Sequence, residues 1–177
     1  MHNKKNIVLI GLMGAGKTSV GKFLAQEVNL TFVDIDEEIE KIEELSIAKI
    51  FELKGEQYFR EIETNLINKF SRLDNQIIST GGGAPENPAN IKNLSQNGIL
   101  FYLFATIDTL FDRLSNEISN RPMLFAENPK EKLKYLLNRR EPFYLKADHK
   151  IDTSNKSIQE ISKAILKHFY GDEYGRY

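Results

Sequence analysis

Cysteine is absent from this chain, which excludes disulfides and thiolate metal sites and fits a reducing compartment. Histidine is scarce: His2, His149 and His168 are scattered, without the close spacing that a histidine-rich metal site needs. Long apolar runs are missing as well. Ile7-Val8-Leu9-Ile10 follows the basic start Met1-His2-Asn3-Lys4-Lys5 but stops at Gly11, too short for the apolar core of a secretion signal, and no run approaches the length of a membrane span. A cytoplasmic location without membrane association is the resulting expectation. Strong charge of either sign is also lacking. The formal net charge of -1 creates no overall field to draw nucleic acid, so no nucleic-acid partner is expected and any anionic ligand must be held by local Lys and Arg clusters. With 41% hydrophobic and 28% charged residues in 177, the chain has the composition of a globular protein and the length of one domain, expected over residues 1–177.

What is present is an alternation of short apolar runs with helical patterns. Ile7-Val8-Leu9-Ile10 is β-branched, continuous and sharply ended, which reads as a buried strand. Val20, Phe23, Leu24 and Val28 then recur at helical spacing, and Thr31-Phe32-Val33 returns to an extended pattern ending in Asp34. Further strands are expected at Gln76-Ile77-Ile78-Ser79, Ile99-Leu100-Phe101-Tyr102-Leu103 and Lys150-Ile151-Asp152. Asn87-Pro88 and Asn128-Pro129 each place a capping side chain before a proline at the first helical position. Ser157 and Glu160 have the spacing of a capping box, ahead of Ile158, Ile161, Ile165, Leu166 and Phe169 on one helical face. This alternation predicts an α/β fold, a parallel sheet covered by helices, whose ligands bind beyond the carboxyl ends of the strands. Residues 119–130, rich in Asn and Pro, read as a mobile loop, and residues 171–177 as a frayed tail.

Directly after the first strand, Gly11-Leu12-Met13-Gly14-Ala15-Gly16-Lys17-Thr18 matches G-x-x-x-x-G-K-[ST]. In this loop, glycines let backbone N–H groups turn inward around phosphate oxygens at a helix N-terminus. Lys17 is expected to reach the β- and γ-phosphates of ATP, and Thr18 to offer its hydroxyl to Mg²⁺. The loop alone does not separate kinases from GTPases, ATPases or nucleotide-gated binding proteins.

Four other features bear on the acceptor. Asp34-Ile35-Asp36 closes the second strand, where alternation would aim both carboxylates to one side; the alternative is that Asp36 caps a helix starting at Glu37. Gly55 to Glu63 opens a helical stretch and sets Arg60 beside Tyr58 and Phe59. Ser79-Thr80-Gly81-Gly82-Gly83 follows a strand, and three glycines let a ligand approach the backbone closely. Arg121, in Asn120-Arg121-Pro122-Met123-Leu124, and Arg140, in Arg139-Arg140-Glu141-Pro142-Phe143-Tyr144, supply a lid arginine and an anion-binding arginine.

In this order and at these intervals the motifs resemble those of the shikimate kinase family: G-x-M-G-x-G-K-T, D-x-D, G-E-x-x-F-R-x-x-E, G-G-G, R-P-M-L and R-x-P-x-Y. The resemblance covers nearly the whole chain. It implies a three-layer P-loop kinase fold with a five-stranded parallel sheet, and phosphorylation of shikimate by ATP with Mg²⁺ on the route to aromatic amino acids. It further implies that Gly14, Ala15, Gly16, Lys17, Thr18, Ser19, Arg113 and Arg121 hold ATP. Thr18 and Asp34 would hold the metal. Asp36, Arg60, Gly81, Gly82, Gly83 and Arg140 would hold shikimate, with Lys17, Asp36 and Arg121 catalytic, and Glu63 orienting Arg60. The family's second adenine contact falls among Asn155-Lys156-Ser157, where the sequence does not select a residue. A monomer binding only small molecules is expected. Two competing readings are a gluconate kinase on the same scaffold, disfavoured by the paired arginines and triple glycine, and a nucleotide-binding regulatory protein, disfavoured by the intact acceptor set.

Overall fold

Five strands, β1 (Asn6–Ile10), β2 (Thr31–Asp34), β3 (Gln76–Ser79), β4 (Gly98–Phe104) and β5 (His149–Asp152), form one parallel sheet in the order β2-β3-β1-β4-β5. The computed structural model describes residues 4–115, 124 and 127–171. Every residue of β1 and β3 is buried, as interior parallel strands covered on both faces require. Among the described residues, seven helices cover the sheet: α1 (Lys17–Val28), α2 (Ile35–Glu43), α3 (Ile47–Phe70), α4 (Pro88–Asn97), α5 (Ile107–Leu114), α6 (Pro129–Tyr144) and α7 (Ile158–Tyr170). The expected strands are all present, and the apolar core runs continuously from β1 through β4 to α7.

The expected caps also form. Asn87 Oδ1 accepts from Ala89 N at 3.0 Å and Asn128 Oδ1 from Glu131 N at 3.2 Å, each ahead of a proline at the helix start. Glu160 N donates to Ser157 Oγ at 3.2 Å while Ser157 N donates back to Glu160 Oε2 at 2.8 Å, so two otherwise orphaned amides at this end are satisfied. Behind that cap, Ile161, Ile165 and Leu166 are buried. Gly55 breaks α3 with φ +84°, a backbone angle that suits a residue without Cβ, and the segment carrying Arg60 and Glu63 restarts there.

Connectivity puts the chemistry at one end of the sheet. From the central strand β1 the chain first builds one side, β2 and β3, and later the other, β4 and β5, so the crevice beyond the carboxyl end of β1 is the switch point where ligands bind in such sheets. The phosphate loop follows β1. Asp34 ends β2 in register with Ser79, which ends β3, and the glycine triplet comes next.

One detail differs from the sequence reading. Asp34 and Asp36 do not alternate along a strand, because β2 stops at Asp34 and Asp36 lies in the first turn of α2. Nor does Asp36 cap a helix at Glu37. Asp34 is the cap, its Oδ1 accepting from Asp36 N at 3.0 Å and Glu37 N at 3.4 Å. An aspartate accepts two backbone amides readily in this position, and Asp36 is thereby freed to face the crevice. Of residues 119–130, Pro129 and Lys130 open α6 and Leu124 is buried in the core; the reading of this stretch as a loop, and Arg121 with it, otherwise lies outside the described residues, as do residues 172–177 of the tail.

Candidate active site

A cavity of about 1050 Å³ opens at the carboxyl ends of the strands and reaches from the phosphate loop to Arg140. Its first half is built by the loop between β1 and α1. Gly16 sits at φ +92°, where a side chain would be strained, and the turn it permits directs the chain into α1. Lys17 is buried, its Nζ donating to Gly11 O at 2.9 Å and Leu12 O at 3.0 Å, so the ammonium lies along the loop whose glycines line the cavity. Gly14, Ala15, Gly16, Thr18 and Ser19 line the same space.

Thr18 Oγ1 donates to Asp34 Oδ2 at 2.7 Å. This places a hydroxyl and a carboxylate, both hard oxygen donors, together beside the phosphate loop. No cluster of three or more His, Cys, Asp or Glu side chains suited to a metal occurs among the described residues. A hydroxyl and a carboxylate of this kind suit a hard cation that keeps water and phosphate oxygens in its shell.

Across the cavity the glycine triplet forms a floor under charged side chains. A Cβ on Gly81 would stand 2.7 Å from Asp36 Oδ1 and 2.8 Å from Glu63 Oε1, and a Cβ on Gly83 would stand 2.5 Å from Arg60 Nη2. Only glycine leaves these side chains where they are. Substituting Gly81→Ala is accordingly expected to displace Asp36 or Glu63 and to lower kcat/KM for the acceptor by roughly 10²-fold, with the apparent affinity for ATP little changed; steady-state kinetics with each substrate varied in turn checks this.

The electrostatics of this half are unusual. Glu63 is fully buried, its Oε2 accepting from Arg60 Nη1 at 2.8 Å. Glu56 Oε1 accepts from the same guanidinium at 3.1 and 3.3 Å. Burial pushes the Glu63 carboxyl above the usual range, against the pull of Arg60. Asp36 Oδ1 and Glu63 Oε1 are buried without a hydrogen-bond partner among the described residues. Asp36 is pushed up to about 7, first by burial and then by the charges of Asp34 and Glu63, with Lys17 and Arg60 opposing. A carboxyl poised there can hold or release a proton near neutral pH.

Arg140 comes from α6 and is only 3% exposed. It lines the cavity with Arg60, Phe59 and Phe51, and its Nη1 is 3.6 Å from where a Cβ on Gly82 would lie. Tyr144, one turn later, donates to Gly82 O at 2.6 Å and fastens α6 to the floor. At the opposite end Arg113 donates to Gly14 O at 3.3 Å, Thr153 Oγ1 at 3.1 Å and Thr153 O at 2.8 Å. It thus bridges the phosphate loop to the turn after β5. Within the stretch where sequence selected no residue, Lys156 lines the cavity, near Ile158 and Ile161.

The structure thus brings Lys17, Thr18, Asp34, Asp36, Arg60, Gly81, Gly82, Gly83, Arg113 and Arg140 around one cavity. Sequence reasoning missed Phe51, whose ring packs 4.9 Å from that of Phe59, and Glu86, whose carboxylate accepts from both Arg139 and Arg140.

A phosphate loop after the central strand of a parallel sheet, facing a carboxylate-and-arginine pocket across one cavity, defines a P-loop phosphotransferase for a small acceptor. Comparison with known proteins narrows the class. The family model for shikimate kinase matches residues 13–170. The shikimate kinase of Caldanaerobacter subterraneus subsp. tengcongensis is 44% identical over 163 residues, 92% of this chain and 95% of that protein. That of Thermodesulfovibrio yellowstonii is 45% identical over 165 residues, 93% of this chain and 95% of that protein. Among solved structures, the shikimate kinase of Acinetobacter baumannii in complex with shikimate superposes with a TM-score of 0.91 at 37% identity, covering 97% of this chain and 96% of that one. The chain belongs to the shikimate kinase family. A gluconokinase from Sinorhizobium meliloti, at TM-score 0.62 and 16% identity, shares the fold alone.

Proposed function

We propose that the chain transfers the γ-phosphoryl group of ATP to the 3-hydroxyl of shikimate, giving ADP and shikimate 3-phosphate in the cytoplasm on the route to chorismate and the aromatic amino acids. The observation that carries this reading is the convergence of Asp36, Arg60 and Arg140 over the glycine floor, directly across from the phosphate loop. An acceptor with one carboxylate and neighbouring ring hydroxyls matches two guanidinium groups on one side and a carboxylate on the other, because guanidinium forks pair bidentately with carboxylate.

Phosphoryl transfer asks the protein for in-line positioning and for charge stabilisation on the migrating group. Lys17 leaves its two loop carbonyls for the β- and γ-phosphate oxygens, while Gly14, Ala15, Gly16, Thr18 and Ser19, which line the cavity, hold the phosphate chain. Arg121 adds positive charge from the segment before α6. Arg113 and Lys156 flank the base end. Thr18 and Asp34 are the residues that would hold Mg²⁺, which when bound neutralises phosphate charge.

Asp36 accepts a hydrogen bond from the acceptor hydroxyl and orients its lone pair toward the γ-phosphorus. A carboxylate with its affinity for protons raised to near 7 is suited to take that proton as the new bond forms. Glu63 holds Arg60 in line with the acceptor carboxylate. A monomer is the assembly proposed.

Acceptor-dependent ADP release tests the proposal: shikimate is expected to support turnover, and gluconate or no acceptor to leave only background. Equal release in all three would sink it. Arg140→Lys is expected to raise KM for shikimate by roughly tenfold, because the fork is lost while the charge remains, with kcat and the ATP KM within about twofold. A change confined to the ATP KM would remove Arg140 from the carboxylate site.

A further inference from the structure

The residue that aims Arg140 lies outside the motifs that identified the acceptor pocket. Glu86 closes a 3-10 turn (Ala84–Glu86) immediately after the glycine floor. Two backbone bonds, Ala84 N to Gly81 O at 3.1 Å and Glu86 N to Gly83 O at 3.0 Å, hold that turn to the floor. From it the carboxylate reaches α6. Oε1 accepts from Arg140 Nε at 2.8 Å and Oε2 from Arg139 Nη2 at 2.8 Å. The two arginines are adjacent on a helix, so their side chains diverge by about 100°. Arg139 is more than half exposed on the rim, while Arg140 is 3% exposed and faces the cavity.

We propose that Glu86 is a positioning residue for the acceptor carboxylate, holding Arg140 by its Nε so that the Nη edge of the guanidinium is presented to the ligand beside Gly82. A buried guanidinium without a carboxylate partner would be strongly disfavoured, and a long side chain without a fixed bond loses rotamer entropy when it is ordered by a ligand. Glu86 meets both costs before the ligand arrives. The bond is on Nε, the edge away from the terminal nitrogens, so it fixes the plane of the fork without occupying its tip. Because Glu86 hangs from the turn that continues the glycine floor, one hydrogen bond and a short stretch of backbone set where Arg140 sits relative to that floor. Across the pocket Arg60 is held differently, by its terminal nitrogens, with Glu63 accepting from Nη1 and Glu56 from Nη2 and Nε.

This inference rests on the shikimate kinase reading, so the test begins with the wild-type protein and shikimate; failure there sinks the proposed function, while the variants address Glu86 alone. Glu86→Ala is expected to raise KM for shikimate about tenfold, the size of effect of one charge-assisted bond, with kcat and the ATP KM within about twofold of wild type. Glu86→Gln keeps an acceptor for Nε and is expected to restore KM to within about threefold. In an Arg140→Lys background, Glu86→Ala is expected to add less than about twofold, since residues acting as a unit are not additive. Should Glu86→Ala fail to fold, Glu86→Asp, which keeps the charge but withdraws it by one methylene, replaces it with the same expectation. The proposal is overturned by a shikimate KM within twofold of wild type in the displaced variant, by equal rises in both KM values, by a Gln variant as weak as the Ala variant, or by full additivity with Arg140→Lys.

Discussion

Replacing Asp36 by Asn lowers kcat for shikimate by roughly 10²–10⁴ in the expected result, the range for loss of a positioned general base, while the apparent affinity for ATP stays near that of wild type. Asn keeps the shape and a hydrogen-bonding oxygen but cannot take the hydroxyl proton. The pH dependence follows from the same carboxyl. In the wild type, the active form is the carboxylate, so kcat/KM should fall about tenfold per unit as pH drops below about 7. That limb should vanish in Asp36→Asn. Stability moves the other way. The native state holds a proton on Asp36 up to about 7, whereas the unfolded chain releases it near 3.8, so the folded form binds more protons across that window and loses stability as pH rises through it. At about pH 8, Asn removes a buried charge that the fold tolerates only for function, and Tm is expected to rise by roughly 5 °C. Rate–pH profiles with thermal unfolding check both halves; an unchanged kcat, or a Tm lowered at high pH, contradicts the assignment.

The second large effect falls on Lys17. Lys17→Ala removes the ammonium that meets the charge on the migrating phosphoryl group, and loss of one such donor costs about 10²–10³ in kcat. Because Nζ is buried and already bonded to Gly11 O and Leu12 O, it reaches the phosphates by exchanging protein carbonyls for phosphate oxygens. It does not have to leave bulk water. Calorimetric titration with ATP and ADP is the accompanying measurement: ATP affinity should drop more than ADP affinity, because only ATP carries the γ-phosphate. An equal drop for both nucleotides would show that Lys17 serves binding and not transfer.

Fold and phosphate site were legible because they rest on local rules. A continuous β-branched run ended by glycine made β1 readable, and Asn-Pro pairs and the Ser157–Glu160 box marked helix starts through single hydrogen bonds within a few residues. Where a role depended on tertiary placement, the sequence was silent or misleading. Asp34 and Asp36 read as alternating strand residues, but the capping bonds of Asp34 began the helix two residues early. Glu86 sits 53 and 54 residues before its arginine partners, and nothing in its neighbourhood announces them. Lys156 could not be chosen from its neighbours because only the turn after β5 decides which side chain faces the cavity. The acceptor motifs stood out through their order along the chain, and Glu63 could be read as the partner of Arg60 because it lies three residues away on the same helix, whereas Glu86, far from Arg140 in sequence, could not.

The position of the new phosphate ester is the decisive measurement. Protein, ATP, Mg²⁺ and shikimate are incubated together, and phosphorus and proton spectra locate the new ester while ADP is counted. One equivalent of phosphorylated shikimate per ADP is expected, with the phosphate on the 3-hydroxyl. ADP formed without a phosphorylated acceptor, or phosphate on another hydroxyl, would contradict it.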